Sequence, residues 1–300
     1  MSELPVTADA PLGASGLIAS RLGWGMWRLA GTGPQALELA HTALDAGMTF
    51  FDTADIYGFG GQGFGAAEER LGEAFSLDAG LRGRVVLASK GGIDPGVPYD
   101  SSAAYLIAAC EKSLRRMRTD VIDLYQIHRP DLLAHPAEVA AAFDRLRQAG
   151  KIRAAGVSNY TAAQTRALAA HMPFPLVSTQ PEFSALAFEP LHDGVLDLAM
   201  EQGLAVLAWS PLAQGRLAAA DGDATARRVI AALDLLAVRE GVSQAAVAIA
   251  WVLAHPARPV ALIGSQTPQR LKDAAAALRV QLSRTDWYGV LVAARGAPMP

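Results

Sequence analysis

The chain has 300 residues, 51% of them hydrophobic and 18% charged, enough apolar material for one domain spanning residues 1–300 with a sizeable core. Its formal net charge of −3 and the absence of any Lys/Arg block lack the basic excess of a nucleic-acid binder, so no nucleic-acid partner is expected. The N-terminus has neither a basic start nor an apolar h-region, and the longest strongly apolar run, Ala245 to Ala254, is too short to span a bilayer; no membrane partner is expected, and the chain reads as a cytoplasmic monomer.

Residues 1–20 read as a weakly patterned lead-in with a small hairpin around Gly13 to Gly16. A strand-then-helix unit follows: Leu22 to Trp24 is a short apolar run, Pro34 opens a helix with Leu37, Ala40 and Leu44 at helical spacing, and Gly47 ends it. The unit recurs at Thr49 to Asp52, Val85 to Ser89, Val121 to Ile127, Ile152 to Val157, Leu176 to Thr179, Leu204 to Ala208 and Pro259 to Ile263, each run followed by a helical pattern. The helix after the third strand carries the single cysteine, Cys110, in line with Ile107, Leu114 and Met117, which predicts core packing for this thiol. Two helical segments, Ala224 to Arg239 and Ser243 to Ala254, separate the last two strands, and Arg284 to Ala294 forms an extra C-terminal helix.

The strands are continuous apolar runs without alternation, as parallel strands buried on both faces require. About eight such units in series predict an α/β fold, a closed (β/α)8 TIM barrel with extra helices near the C-terminus. Active sites of this fold lie at the C-terminal ends of the strands. That rule selects Asp52 and Tyr57 after the second strand, Lys90 ending the third and His128 ending the fourth. It adds Ser158 and Asn159 after the fifth, Gln180 after the sixth, and Trp209 and Ser210 after the seventh.

Four of these side chains make an acid/base device for an oxygen. A phenol with its ordinary pKa near 10 is a poor acid at neutral pH, but an ammonium such as Lys90 beside Tyr57 stabilises the phenolate and is expected to lower that pKa. Asp52 can hold Lys90 charged and oriented. His128 can donate a hydrogen bond where negative charge develops.

The segments Phe51-Asp52-Thr53-Ala54-Asp55-Ile56-Tyr57-Gly58, Ser89-Lys90, Asp123 to His128, Gly156-Val157-Ser158-Asn159 and Trp209-Ser210-Pro211-Leu212 resemble the successive signatures of the aldo-keto reductases. Within that superfamily, Gly25 to Leu29 and His128-Arg129-Pro130-Asp131 resemble a bacterial oxidoreductase subgroup of the YdhF type. The resemblance implies an NADPH-dependent reductase of aldehydes or ketones with Asp52, Tyr57, Lys90 and His128 as catalytic tetrad and Tyr57 as general acid. It also implies a cofactor site in which Ser158, Asn159 and Gln180 bind the carboxamide and Trp209 stacks on the nicotinamide, with Ser210 and Leu212 in the same motif. Ser265 and Arg270, at the start of the helix after the last strand, would take the adenosine phosphates. Family members often carry Lys where Gly264 stands and Asn where Ala274 stands, so the preference for NADP rests on Ser265 and Arg270, with NADH as the alternative.

Other readings compete. Gly58-Phe59-Gly60-Gly61-Gln62-Gly63 is a literal G-x-G-x-x-G, but the next strand ends in Ser89-Lys90 instead of the acid that would hold a ribose, so it reads as a loop at the rim of the site. No metal is expected, because the six histidines contain no His-x-His pair and only His128 closes a strand. The alternative from another class is a cofactor-binding interaction protein with little turnover. The substrate is expected to be a small carbonyl compound, and Trp24, Trp27 and Phe59 as aromatic walls suggest an apolar or aromatic one.

Overall fold

The computed structural model describes Leu4, residues 6–218 and residues 223–300; the rest of the lead-in's first five residues lies outside the described residues. A two-stranded antiparallel hairpin comes first, β1 (Asp9–Pro11) paired with β2 (Ile18–Ser20). Eight parallel strands then form a closed barrel: β3 (Leu22–Gly25), β4 (Phe50–Asp52), β5 (Val86–Gly91), β6 (Ile122–Ile127), β7 (Ile152–Ser158), β8 (Leu176–Gln180), β9 (Ala205–Ala208) and β10 (Val260–Ile263), which closes on β3. Between them lie α1 (Gly33–Asp45), α2 (Ala66–Leu77), α3 (Ala103–Met117), α4 (Pro136–Gln148), α5 (Ala162–Ala169), α6 (Val195–Gln202), α7 (Ala224–Glu240) and α8 (Gln244–Leu253); α9 (Pro268–Ala274) and α10 (Arg284–Arg295) follow β10. The expected (β/α)8 barrel with extra C-terminal helices is the observed fold. The helix after the last strand is shorter than its pattern suggests, since α9 passes directly into a 3-10 turn at Ala275–Arg279.

Both faces of the strands are apolar because both are buried. Phe50, Ala88, Leu124, Ala154, Leu207, Val260 and Leu262 fill the barrel interior. Their neighbours Phe51, Leu87, Tyr125, Ala155, Val206 and Ala261 pack against the helices. Successive side chains point to opposite faces of a strand, so the residue two beyond an interior apolar one also points inward. Asp52 follows Phe50, Lys90 follows Ala88, and this parity turns both polar groups into the upper end of the barrel.

The hairpin closes the lower end. Leu12, fully buried, joins the interior cluster. Gly13 has φ +53, and a Cβ there would lie 2.4 Å from the Val177 carbonyl oxygen, so only glycine allows the turn to seat against the start of β8.

On the outside, Cys110 is buried among core residues and its thiol is pushed up to about 12 by burial, the acid Glu68 adding to the effect. The apolar run that includes Ala246 to Leu253 is a fully buried core helix, and no single described helix is long and apolar enough to cross a membrane. It is fastened to α10 by two stacked indoles, Trp251 and Trp287, with ring centroids 4.7 Å apart. Each indole N–H donates to the other residue's carbonyl, at 2.9 and 3.0 Å. Trp287→Ala removes the stack and takes the indole donor from the Trp251 carbonyl; it should lower the unfolding free energy by about 3–5 kcal/mol, measured by urea denaturation.

Candidate active site

Asp52 and Lys90 form an ion pair inside the barrel, with Lys90 fully buried and Asp52 3% exposed. Taking two charges out of water costs several kcal/mol per ion unless every donor and acceptor is met. Here Lys90 Nζ donates to Asp52 Oδ2 at 2.6 Å, to the Thr53 carbonyl at 2.9 Å and to Tyr57 Oη at 3.3 Å, which accounts for all three ammonium protons. The other carboxylate oxygen, Asp52 Oδ1, accepts from Gln180 Nε2 at 3.0 Å. Tyr57 is half-buried and meets the His128 ring edge to face, centroids 5.6 Å apart. The structure therefore gathers the four expected side chains and adds Gln180 as a support for Asp52.

Burial is the largest single influence on Lys90, Tyr57 and His128, and partners reverse it only at Lys90. Burial alone would lower the Lys90 pKa, but Asp52 and Tyr57 together reverse this and leave it raised, so the ammonium stays charged. For Tyr57, burial raises the pKa, Lys90 opposes it and Asp52 adds to it; the net direction is upward. The expectation that Lys90 would lower the phenol's pKa is thus corrected: its charge acts in that direction and is outweighed by desolvation. Tyr57 consequently remains a protonated phenol at neutral pH. His128 is driven well below 6.5 by burial and then by the charges of Lys90 and Arg129, which leaves a neutral imidazole. Its Nδ1 is buried without a hydrogen-bond partner among the described residues.

Beyond the tetrad, the ends of β7, β8 and β9 interlock. Ser158 Oγ donates to the Gln180 carbonyl at 3.0 Å, and Asn159 Nδ2 reaches both the His128 carbonyl at 3.1 Å and Ser158 Oγ at 2.9 Å. Asn159 has φ 59, a left-handed conformation that lets its backbone N–H donate to the Gln180 carbonyl at 3.0 Å. Its Oδ1 accepts the indole N–H of Trp209 at 3.0 Å, which fixes that half-buried ring. Ser210, with φ 52, and Leu212 form the turn after β9, where their carbonyls accept from the N–H groups of Ala213 and Gly215.

Ser265 and Arg270 stand at the other side, beyond β10. Ser265 Oγ accepts from the Thr267 N–H at 3.2 Å, and Arg270 is exposed in the first turn of α9. A flat ring beside Trp209, amide groups near Ser158 and Asn159, and phosphates near the exposed guanidinium of Arg270 match the donor set, so the residues present fit a nicotinamide dinucleotide.

The three aromatic candidates separate. Trp24 is fully buried, packed edge to face on Phe51 at 5.0 Å, with its indole N–H donated to the Ser265 carbonyl at 3.3 Å. It is a core residue and not a pocket wall, because the interior of a four-residue strand leaves no face for solvent. Trp27 and Phe59 are 52% and 59% exposed and stand at the rim. A Cβ at Gly264 would lie 3.3 Å from the Trp27 ring, so a glycine is the side-chain-free neighbour this indole packs over.

Two residues near the site had no role in the sequence reading. Arg129 directly follows His128, its guanidinium carbon lies 5.9 Å from the Trp209 ring centroid, and its charge acts on both Tyr57 and His128. Asp55 is buried behind the same loop that carries Tyr57. Adjacency to a strand-end histidine was a usable signal for the first; nothing in the spacing reveals the second.

Residues 21–290 match the Aldo/keto reductase family. The chain belongs to the aldo/keto reductase family. Over the full length of both chains the reductase is 51% identical to 6-dehydroglucose reductase of Novosphingobium aromaticivorans. It is 36% identical to oxidoreductase YdhF of Escherichia coli, covering 94% of this chain and 95% of that one. The crystal structure of the thermostable aldo-keto reductase Tm1743, in complex with the inhibitor epalrestat, superposes with a TM-score of 0.82 at 26% identity, covering 96% of this chain and all of that one. The YdhF-like character expected from Gly25 to Leu29 and His128 to Asp131 agrees with these relatives.

The protonation of His128 in the reductase can be observed directly. With the folded pKa depressed, the native protein refuses a proton that the unfolded chain accepts near pH 6.5. The stability His128 contributes is therefore present above that pH and lost as pH falls. The ring C–H resonances of His128, assigned by comparison with His128→Gln, should show no titration across the range where an ordinary histidine titrates.

Proposed function

We propose that this reductase converts the aldehyde of a polyhydroxylated sugar, with 6-dehydroglucose as the leading substrate, to the alcohol using NADPH, with Tyr57 as general acid. The observation that carries the chemistry is the Tyr57 hydroxyl: a phenol that keeps its proton at neutral pH, yet 3.3 Å from an ammonium that can stabilise the phenolate left behind. NADPH, when bound, supplies the hydride. The chain's own contribution is to the oxygen. His128 orients the carbonyl with a neutral imidazole, Tyr57 Oη gives its proton to the developing alkoxide, and Lys90 stabilises the resulting phenolate without needing to move. Asp52 and Gln180 hold Lys90 in that position.

A sugar aldehyde is favoured over an apolar one by the full-length relative named 6-dehydroglucose reductase and by Arg129. This half-buried guanidinium has no acidic partner among the described residues and stands beside Tyr57 and His128. It can donate to the hydroxyl next to the reacting carbonyl. The preference for NADPH over NADH is supported by Ser265 and the exposed Arg270, which suit an added phosphate.

Tyr57→Phe should lower kcat by about 10²–10⁴-fold with NADPH affinity unchanged in a fluorescence titration; a variant as fast as the parent would remove the acid role. Arg129→Met should lower kcat/KM for 6-dehydroglucose by about 10- to 100-fold, the worth of a charged hydrogen bond, and leave an unsubstituted aldehyde nearly unaffected. Equal losses on both substrates would count against recognition of the hydroxyl.

A further inference from the structure

The segment that carries Asp52 and Tyr57 holds a third polar residue that the reaction does not use. Asp55 is 1% exposed, and neither of its carboxyl oxygens has a hydrogen-bond partner among the described residues. Its side chain lies outside the barrel wall, on the opposite face from Lys90. There it shares the space beside Gly91 with the Tyr125 hydroxyl, which is also buried and unpartnered. A Cβ at Gly91 would come within 2.1 Å of Tyr125 Oη and 3.4 Å of Asp55 Oδ2; glycine is what lets both oxygens approach the strand.

Behind Asp55 is a cavity of about 50 Å³ that reaches the surface between Phe64, Tyr105, Lys112 and Arg116. That is room for a few water molecules, and Asp55, Tyr105, Lys112 and Arg116 stand on its wall as polar partners. The Asp55 main chain, meanwhile, donates its N–H to the Lys90 carbonyl at 3.1 Å. One residue thus touches the strand of Lys90 and lies two positions from Tyr57.

An ionised carboxylate in this place would be buried without a hydrogen bond, a cost of several kcal/mol. Arg116, the cation with the largest pull on it, is already paired, and Lys112 stands exposed at the cavity mouth. Arg116 is engaged by Glu68, its Nε donating to Oε2 at 2.7 Å, and Glu68 also accepts from Ser89 Oγ at 2.6 Å. The groups facing Asp55 are Glu68 from α2, Tyr105, Lys112 and Arg116 from α3, Tyr125 from β6 and, through the wall, Lys90 from β5. Burial and the neighbouring Glu68 outweigh the pull of Arg116, of the adjacent Ile56 backbone N–H and of Lys90, and push the carboxyl well above its ordinary range.

We propose that Asp55 is a positioning residue, held as the neutral acid and coupled to the Tyr125 hydroxyl in the space beside Gly91, and that this clamp fixes the loop presenting Tyr57 to the strands presenting Lys90 and His128. Its kinetic consequence rests on Tyr57 being the proton donor; its equilibrium consequence does not.

A neutral buried acid takes up a proton on folding, since the unfolded chain releases it near pH 4. The parent is therefore favoured fully at low pH and loses that advantage as pH rises through the raised folded value. In urea unfolding at a series of pH values, D55N, which cannot ionise, should gain on the parent by up to about tenfold in the folding equilibrium constant per pH unit above the ordinary Asp range. A ratio that stays flat with pH would overturn the neutral acid.

In steady-state kinetics, D55L should lose about tenfold or more in kcat with NADPH affinity retained, D55N should recover most of that loss, and Y125F should add little to D55L. Parent-like turnover in D55L, or D55N as impaired as D55L, would overturn the clamp. An active Tyr57→Phe protein would instead undo the acid assignment and leave the unfolding result standing.

Discussion

The ammonium of Lys90, buried against Asp52 in the mouth of the barrel, is the constraint on which the rest depends. A charge in that position is tolerable only if the strands bring its partners within hydrogen-bonding reach, and the register does so. Asp52 pairs with Ala88, placing Lys90 one inward-facing step further up the next strand; Lys90 pairs with Gln126, placing His128 a further step up. The stagger between neighbouring strands, which any closed barrel must have, thus becomes a rising stair of Asp52, Lys90 and His128. Tyr57 reaches the top of it from the loop after β4.

The same burial sets the protonation states. Desolvation acts against every charge here, and Lys90 keeps its own against that pressure, paired with Asp52, because its three protons all find oxygen acceptors. The phenol and the imidazole, with weaker or opposing partners, are neutral. A site of this kind holds one buried ion pair, with its ammonium end toward two neutral hydrogen-bonding groups, so negative charge forming on a substrate oxygen meets a preorganised field.

Much of this was legible before any coordinates. Eight apolar runs buried on both faces, six of them followed by polar residues, were enough to place a barrel and the strand ends that carry Asp52, Lys90 and His128, because strand parity and the strand-end rule are local; the family resemblance then singled out the four-residue set. The reading failed where distances decide. Trp24 sits one residue from the end of a short strand, and sequence could not tell that its ring turns into the core toward Phe51. The direction of the Tyr57 shift depended on weighing burial against one cation, and burial has no sequence signal at a loop residue. The Glu68 to Arg116 pair joins residues on different helices, with no spacing to betray it.

The rim also changes what aromatic residues imply about substrate. Trp27 and Trp209 are the two indoles at the mouth, and each carries a guanidinium, Arg28 at 4.5 Å and Arg129 at 5.9 Å from the ring centroid. An indole face beside fixed N–H donors is amphipathic, with an apolar plane and a polar edge. An aryl aldehyde would bury the planes and leave the guanidinium donors unanswered, at a cost in desolvation. A sugar carries both features itself, C–H groups on its faces and hydroxyls around its edge, and so can meet the planes and the donors together. The aromatic content that suggested an apolar pocket is therefore, once its cationic neighbours are counted, consistent with the polyol substrate proposed above.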